Sequence, residues 1–271
     1  MAGGKYSVFK NVYAYPLKAN TDSYAFYNSS KKLIIETLSP RTYAVPFYPL
    51  PFDPKVKKII FPYIYTGFLF DHFGHFIIES LSRLWFAKNY PEVPICWTAR
   101  NGFILDFQKD IFNLLGIKNE ITIIDQPACF ATLFVPEPGF IIHDYFYPYY
   151  DDFLSVVIDI QPIIGKKVYI SRRYFGGESC LTNDEELENV LNNHGFIIYY
   201  PEKHSIYEQI TFLSSAEKIL ALEGSALHTL IFVKDLQSNI LIMPRPKASI
   251  NQNYLTIAKR KGFRQSYIPP E

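Results

Sequence analysis

The stretch Lys218–His228 (KILALEGSALH) decides the fold of the second half of the chain. Its first residues are apolar and suited to a strand, and small residues follow immediately. The sequence therefore predicts a strand at 218–222 that turns directly into a helix at 225–233. Similar strand and helix patterns alternate from Lys166 onward, which predicts a parallel sheet covered by helices, a Rossmann-like half. The other elements expected there are strands at 168–171, 196–200 and 240–243 and helices at 184–193 and 205–214.

The first half begins with an irregular, β-rich lead-in and then adopts the same alternation. In the lead-in we expect short strands at 6–9, 12–15, 33–36 and 42–45. From Lys58 the pattern predicts strands at 58–61, 94–97, 121–124 and 131–135, and helices at 73–89, 104–115 and 151–160. The expected organisation is a first domain at 1–160, which contains the β-rich lead-in and a Rossmann-like half, a second Rossmann-like domain at 161–245, and a C-terminal helix within 246–271 that crosses back to the first domain.

Composition restricts the classes of partner. The chain has 271 residues, of which 48% are hydrophobic, so it can bury a substantial core. Aromatic residues reach 17%. They either line a concave surface on which a sugar or base could stack, or fill the core. The net charge of +1, without a long basic run, excludes a polymeric nucleic acid as partner.

Cysteine spacing and hydropathy point to a cytoplasmic protein. The three cysteines, Cys96, Cys129 and Cys180, are widely spaced and odd in number, which favours neither a disulfide framework nor a thiolate metal site. A reducing compartment fits this pattern. The sequence contains no apolar run of about 18 residues and no signal-peptide hydrophobic region, so we expect no membrane span.

The segment Asp71–Trp85 (DHFGHFIIESLSRLW) is the first candidate site. On a continuous helix, Asp71, His75, Glu79 and Arg83 would follow one another along one face, opposite an apolar face. Glu79 could then orient His75, and Arg83 could meet Glu79, which is the geometry of a general base. The alternative is a surface helix with solvated charges.

The second candidate site combines a small-residue turn with two arginines. Gly224 and Ser225 would let a ligand approach the backbone, and N–H groups at the helix start favour a phosphate. Arg172 and Arg173 end the strand at 168–171 and could clamp a diphosphate with their guanidinium groups. The alternatives are tight strand-to-helix packing at the turn and surface salt bridges for the arginines.

Three other kinds of site are disfavoured. His72, His75 and Glu79 lack a further ligand at recognisable spacing, so we expect no metal site. The Gly224–His228 stretch lacks the first and last glycines of a serine-hydrolase elbow. Neither a Walker A lysine loop nor Gly-x-Gly-x-x-Gly is present, which disfavours nucleotide triphosphatases and dinucleotide enzymes.

An ordered series of motifs makes the sequence resemble glycosyltransferase family 61, over roughly residues 69–243. The family groups plant xylosyl- and arabinosyltransferases, eukaryotic O-linked N-acetylglucosaminyltransferases and bacterial capsular polysaccharide proteins. The motifs are Gly74-His75-Phe76 with Glu79 and Arg83-Leu84, Ile170–Arg173, Asn183–Glu186, Gly195-Phe196, Pro201-Glu202 with Ser205 and Glu208-Gln209, and Gly224–Leu227 with Phe232.

The resemblance implies a GT-B-like α/β fold, with two Rossmann-like halves facing each other across a cleft. It makes 1–160 the N-terminal acceptor-side domain and 161–245 the nucleotide-sugar-binding domain. It also implies an inverting transfer of a sugar from a UDP-sugar to a hydroxyl of an oligosaccharide or glycan acceptor, without metal or other cofactor. His75 would be the base, with Glu79 as its orienter or as the base itself. The donor-binding residues implied are Arg172, Arg173, Glu202, Glu208, Glu223, Gly224, Ser225, Ala226 and Leu227.

One departure from the family pattern concerns Glu223, because many members carry histidine at this position. A carboxylate there could accept hydrogen bonds from ribose hydroxyls, but it would repel a diphosphate if it turned inward.

For the donor, the resemblance favours UDP-xylose over UDP-N-acetylglucosamine, since pentose transfer is common among relatives. The chain is shorter than plant and animal members, which favours a bacterial-type or viral enzyme with a cytoplasmic acceptor. The alternative function is a non-catalytic nucleotide- or glycan-binding subunit of a polysaccharide assembly system, suggested by Glu223 and the short first half.

Overall fold

The computed structural model describes residues 3–17, 24–39, 56–157, 160–174, 183–245 and 250–268. The chain forms two compact units, Met1–Tyr150 and Asp151–Glu271. The division falls within a short helix, α4 (Pro148–Leu154), rather than at residue 160. Both units mix strands and helices, so the predicted α/β class is confirmed.

The first unit contains a seven-stranded sheet with the order β2-β1-β7-β4-β5-β6, in which β3 also pairs with β7. Strands β3 to β7 pair in parallel, whereas β1 is antiparallel to β2 and β7. A small hairpin, β8 and β9, lies outside this sheet. The strands are β1 (Tyr6–Tyr15), β2 (Ala25–Tyr27), β3 (Lys57–Ile59), β4 (Tyr63–Leu69), β5 (Ile95–Ala99), β6 (Ile121–Ile123), β7 (Ala128–Pro136), β8 (Phe140–Ile141) and β9 (Tyr145–Phe146).

The lead-in differs from its prediction in several places. The two strands expected at 6–9 and 12–15 are one strand, β1, which continues through Asn11 at a φ of 52°. The strand expected at 33–36 is wrong, because Ile35–Thr37 form a 3₁₀ turn closed by the Thr37 hydroxyl, which donates to the Ile34 carbonyl. Strands β2 and β4 were not predicted. The strand expected at 42–45 lies outside the described residues.

The helix expected at 73–89 is interrupted. It consists of α1 (Phe73–Ile78), a 3₁₀ segment Ser80–Arg83, and α2 (Leu84–Ala87). Serine side chains bond the backbone around the break: the Ser82 hydroxyl donates to the Glu79 carbonyl, and the Phe70 N–H donates to the Ser80 hydroxyl. The break changes the helical phase, so the single polar face expected from Asp71 to Arg83 is wrong for Arg83, which is buried.

Arg83 instead ties three backbone segments together. Its guanidinium donates hydrogen bonds to the carbonyls of Pro136, Glu36 and Leu38, at the end of β7 and in the lead-in. Burial lowers the pKa of Arg83. Arg83 and Glu79 also line one small cavity of ≈ 10 Å³, beside Gly67. Arg83 therefore holds the end of β7 and the lead-in together next to Glu79.

The helix expected at 104–115 is confirmed as α3 (Asp106–Leu115), and Gly116 ends it at a φ of 70°. Large aromatic side chains fill the interior of this unit. Tyr65, Phe76, Trp97, Phe130 and Tyr150 are all almost completely buried. Of the two interpretations of the aromatic content, a concave binding surface or the core, the second is correct for these residues.

The second unit contains a five-stranded sheet with the order β11-β10-β12-β13-β14, and all of its pairs are parallel. Its strands are β10 (Ile163–Ile170), β11 (Phe196–Tyr199), β12 (Ala216–Leu222), β13 (Asn239–Met243) and β14 (Arg264–Tyr267), and its helices after α4 are α5 (Asp184–Asn193), α6 (Ile206–Ser214) and α7 (Gln252–Lys261). The consecutive residues Ile219–Leu222 of β12 are buried, as expected for a strand covered on both faces.

Two features of this unit differ from prediction. The helix expected at 225–233 is a 3₁₀ helix, Ser225–Phe232. Strand β14 was not predicted, because its sequence RQSY is polar and only its pairing with β13 makes it a strand. This pairing places the C-terminal segment in the sheet of the second unit. That α7 crosses back to the first domain stays a prediction.

Among the described residues, no helix combines the length and the apolar character needed to cross a membrane.

Replacing Arg83 with methionine should destabilise the first unit by about 3 kcal/mol, because one buried and two partly buried carbonyls would lose their donor. Both tryptophans, Trp85 and Trp97, lie in this unit, so their fluorescence during urea unfolding measures it specifically. Arg100→Met removes an exposed arginine of the same unit and should change stability by less than about 0.5 kcal/mol. Equal stabilities for the two variants would contradict the bonding role of Arg83.

Candidate functional site

The first part of the site is a hydrogen-bonded histidine and carboxylate. Strand β4 leads through Phe70, Asp71 and His72 into α1, which carries His75, and Glu79 is the residue after that helix. His75 Nδ1 lies 2.6 Å from Glu79 Oε1. The Glu79 side chain is 8% exposed and that of His75 is 40% exposed.

This geometry assigns different tasks to the two ring nitrogens of His75. With the Nδ1–H donated to the Glu79 carboxylate, Nε2 carries the lone pair and can accept a proton. Because His75 is more exposed than Glu79, the imidazole is the group that a substrate can reach. The carboxylate orients the ring and would stabilise its positive charge after proton transfer. The pairing predicted between His75 and Glu79 is therefore present.

Aromatic and polar neighbours surround His75. The rings of Phe70 and His72 lie 5.4 Å and 5.1 Å from the imidazole, centroid to centroid. Asp71 is exposed and accepts a hydrogen bond from Asn101 Nδ2 at 2.7 Å. Phe70 and His72 are thus aromatic side chains in contact with the His75 ring.

The second part of the site lies at the carboxyl edge of the parallel sheet in the second unit. The chain leaves β10 toward β11 on one side, and β12 then pairs with β10 on the other side. The order of strands reverses between β10 and β12, and such switch points are where open α/β sheets bind ligands. Arg172 follows β10 and Gly224 follows β12, so both lie at this point.

Arg172 packs directly against Gly224. Its side chain is buried, and its guanidinium fills the space that a Cβ at residue 224 would need. The φ of Gly224 is −174°, an extended conformation open to any residue. Glycine is required here by the close approach of the arginine and not by backbone strain. The predicted meeting of Arg172 with the Gly224 turn is thus observed.

Arg173 is bound elsewhere. Its guanidinium pairs with Glu185 at 2.9 Å and with Glu188 at 3.3 Å, both on α5. The hydrogen bond with Glu188 raises the pKa of Arg173. Glu188 also accepts hydrogen bonds from Ser171 and Tyr200. The structure brings Arg172, but not Arg173, against the glycine turn.

Glu202 lies between β11 and α6, and Glu208 lies in the first turn of α6. Glu202 is exposed in a 3₁₀ turn, Pro201–Lys203. Glu208 forms a capping box with Ser205, in which the carboxylate accepts from the Ser205 N–H at 2.8 Å and the Ser205 hydroxyl accepts from the Glu208 N–H. These bonds lower the pKa of Glu208. Gln209 is buried and donates to the Pro201 and His204 carbonyls, so the Glu208-Gln209 pair shapes this loop.

The residues after Gly224 form the beginning of the 3₁₀ helix. Ser225 is partly exposed, while Ala226 and Leu227 are buried. The Leu227 N–H donates to the Gly224 carbonyl at 3.1 Å, which closes the first turn. Of the small residues predicted to hold phosphate, Gly224 and Ser225 are those nearest to the sheet edge.

Glu223 is buried and its polar groups are engaged. Its Oε1 accepts a hydrogen bond from the Asn251 N–H at 2.8 Å, and its backbone carbonyl accepts from Arg245 Nε at 3.0 Å. The carboxylate thus meets the residue that precedes α7. Sequence reasoning missed both Arg245 and Asn251. The signal available for Arg245 was its place between Pro244 and Pro246, directly after a predicted strand.

Comparison with known families identifies the class of protein. The family model described as Glycosyltransferase 61 matches residues 73–245. The chain belongs to glycosyltransferase family 61, and its substrates are accordingly a sugar donor and an acceptor. The match includes His75, Glu79, Arg172, Gly224 and Arg245. A search of curated proteins found no match.

Replacing Gly224 with alanine should cost about 2 kcal/mol, because the new methyl group would collide with the Arg172 guanidinium. In an Arg172→Ala background most of this cost should disappear, since the colliding group is absent. Chemical unfolding followed by circular dichroism measures both. Gly102→Ala is the control, because a Cβ at residue 102 would meet nothing within 4 Å. The same cost in both backgrounds would contradict the contact.

Proposed function

We propose that this protein is an inverting, metal-independent glycosyltransferase that moves a sugar, xylose in the first instance, from a UDP-sugar to a hydroxyl of a glycan acceptor. The observation that carries the proposal is the 2.6 Å contact between His75 Nδ1 and Glu79 in a chain of family 61. It supplies an oriented base, which direct displacement at the anomeric carbon requires.

The chemical step begins at the acceptor hydroxyl. Its proton passes to His75 Nε2 while its oxygen forms a bond to the anomeric carbon of the donor. The bond from that carbon to the diphosphate oxygen breaks, and its electron pair leaves with UDP. Glu79 stabilises the resulting imidazolium through the Nδ1–H. One displacement at the carbon inverts its configuration.

The donor is assigned to the second unit. Negative charge grows on the leaving diphosphate, and Arg172 at the switch point can balance it. Gly224 and Ser225 would offer backbone N–H groups to the same phosphates. Arg173 would contribute only by exchanging Glu185 or Glu188 for phosphate. The base in the first unit and the donor site in the second correspond to the division of roles in a GT-B-like enzyme.

The choice of UDP-xylose before UDP-N-acetylglucosamine comes from the frequency of pentose transfer in the family. A cytoplasmic location is proposed from the cysteine pattern, and the buried thiols of Cys96 and Cys129 agree with a reducing compartment.

His75→Ala should lower kcat by about 10²- to 10⁴-fold while the Kd for UDP stays unchanged, because the base acts on the acceptor and not on the nucleotide. Added imidazole should restore part of the activity. Glu79→Gln should lower kcat less, since the amide oxygen can still accept from Nδ1–H but carries no charge. UDP release measures turnover.

The control for this series is His194→Ala, which removes an exposed imidazole at the end of α5. It should leave kcat within about twofold of the wild type. Full activity of His75→Ala would refute the assignment of the base.

The donor is identified by incubating the protein with a panel of UDP-sugars in EDTA and measuring released UDP. Release from UDP-xylose above UDP-N-acetylglucosamine is the expected result, and release that requires an added divalent metal would refute metal independence. The alternative, a non-catalytic nucleotide- or glycan-binding subunit, predicts binding of UDP in calorimetry without release from any sugar, with or without oligosaccharide acceptors.

A further inference from the structure

Arg245 is a cationic residue at the carboxyl edge of the second sheet that the mechanism above does not use. It lies two residues after β13 and is exposed. Its Nε donates to the Glu223 carbonyl at 3.0 Å. In the part of the chain that the structure describes, its terminal amino groups make no hydrogen bond. The guanidinium is therefore held at Nε, and its two terminal amino groups remain available to a ligand.

The sequence around Arg245 restricts its backbone. Proline precedes and follows it, in the order Pro244-Arg245-Pro246. A residue before proline is confined to extended conformations, and the proline ring at 244 fixes its own φ. The Glu223 N–H donates to the Met243 carbonyl, which holds the end of β13 against the same turn. The backbone of Arg245 is therefore already restricted and loses little further conformational freedom when a ligand binds.

Glu223 supports this arrangement. The residue is only 4% exposed; its carboxylate accepts from the Asn251 N–H, while its carbonyl accepts from Arg245. Glu223 thus bonds both to Arg245, directly before Pro246, and to Asn251, further along the chain. A carboxylate engaged in this way is directed to the beginning of α7, where its negative charge is partly balanced by the N–H group.

Arg245 and Arg172 lie around one turn. The first contacts the backbone of Glu223, and the second packs on Gly224, the next residue. Both guanidinium groups also act on the same phenol: burial and the charge of Glu223 raise the pKa of Tyr254, and the positive charges of Arg245 and Arg172 oppose that rise. The two arginines therefore contact adjacent residues of one turn at the carboxyl edge of the sheet.

We propose that Arg245 binds the diphosphate of the donor together with Arg172, and that Glu223 positions Arg245 instead of contacting the nucleotide. This inference rests on the proposed function, because the sugar nucleotide supplies the diphosphate. A guanidinium held at Nε can pair its terminal amino groups with phosphate oxygens in the bidentate manner that arginine favours. The site then holds the leaving group between two arginines that follow β10 and β13, the strands on either side of β12.

The test is calorimetric binding of UDP, uridine and inorganic pyrophosphate to the full chain. Arg245→Met should weaken UDP and pyrophosphate by about tenfold and leave uridine unchanged, because only the phosphates are contacted. Arg245→Lys should fall between wild type and Arg245→Met, since lysine keeps the charge but lacks the fork. Arg264→Met is the control. Arg264 begins β14, at the amino edge of the sheet, so its loss should change no affinity.

The positioning role of Glu223 has a separate readout. Glu223→Ala keeps the backbone carbonyl that accepts from Arg245 but loses the bond from the Asn251 N–H that holds the turn, so it should weaken UDP and pyrophosphate less than Arg245→Met does. Glu223→Gln should restore both affinities, since its amide oxygen can still accept from the Asn251 N–H. If Glu223→Gln is as weak as Glu223→Ala, the positioning role is wrong.

The outcomes separate this inference from the proposed function. If Arg172→Met weakens UDP and Arg245→Met does not, only the role of Arg245 fails. A loss of uridine affinity equal to the loss of UDP affinity would also overturn that role. If the wild type binds UDP no more tightly than pyrophosphate, the proposed donor nucleotide is wrong. The effect of Arg245→Met on pyrophosphate affinity then tests the role of Arg245. If the wild type binds neither, both proposals fail.

Discussion

The parallel alignment of all five strands in the second sheet is the constraint on which the donor site depends. Parallel strands present their carboxyl ends at one edge, so residues far apart in sequence are brought together there. Arg172, Gly224 and Arg245 follow β10, β12 and β13, respectively. Between β10 and β12 the strand order reverses, and the crevice that results is where Arg172 reaches the glycine turn.

Three of the buried charged groups in the described part of the chain contact backbone atoms. Arg83 donates to backbone carbonyls, the Glu223 carboxylate accepts from a backbone N–H, and Arg172 packs on a glycine. A buried charge without hydrogen bonds would cost several kcal/mol, so these contacts are a condition for folding. They also fix the groups in place. The consequence is that Glu223 and Arg245, near the second candidate site, are positioned partly by the main chain.

Local signals predicted the elements of the second unit well. The Asn183 to Gly195 stretch contains a helix, α5, and a glycine that ends it, and the apolar run before Glu223 is β12. The His75 and Glu79 contact was also predictable, because a spacing of four residues spans one helical turn. The burial of Arg83 was not predictable from the sequence. Serine bonds break the helix between Glu79 and Arg83, and that break depends on neighbouring segments.

The sequence by itself determined the family, the alternation of strands and helices, and the contact between His75 and Glu79. These follow from periodicity, from spacing within one helical turn and from an ordered set of motifs. Only the tertiary structure decided that Arg173 pairs with α5, that Glu223 meets Asn251, and that Arg245 joins the turn. The physical reason is that each of these contacts links residues on different elements, whose distance is set by packing and not by separation along the chain.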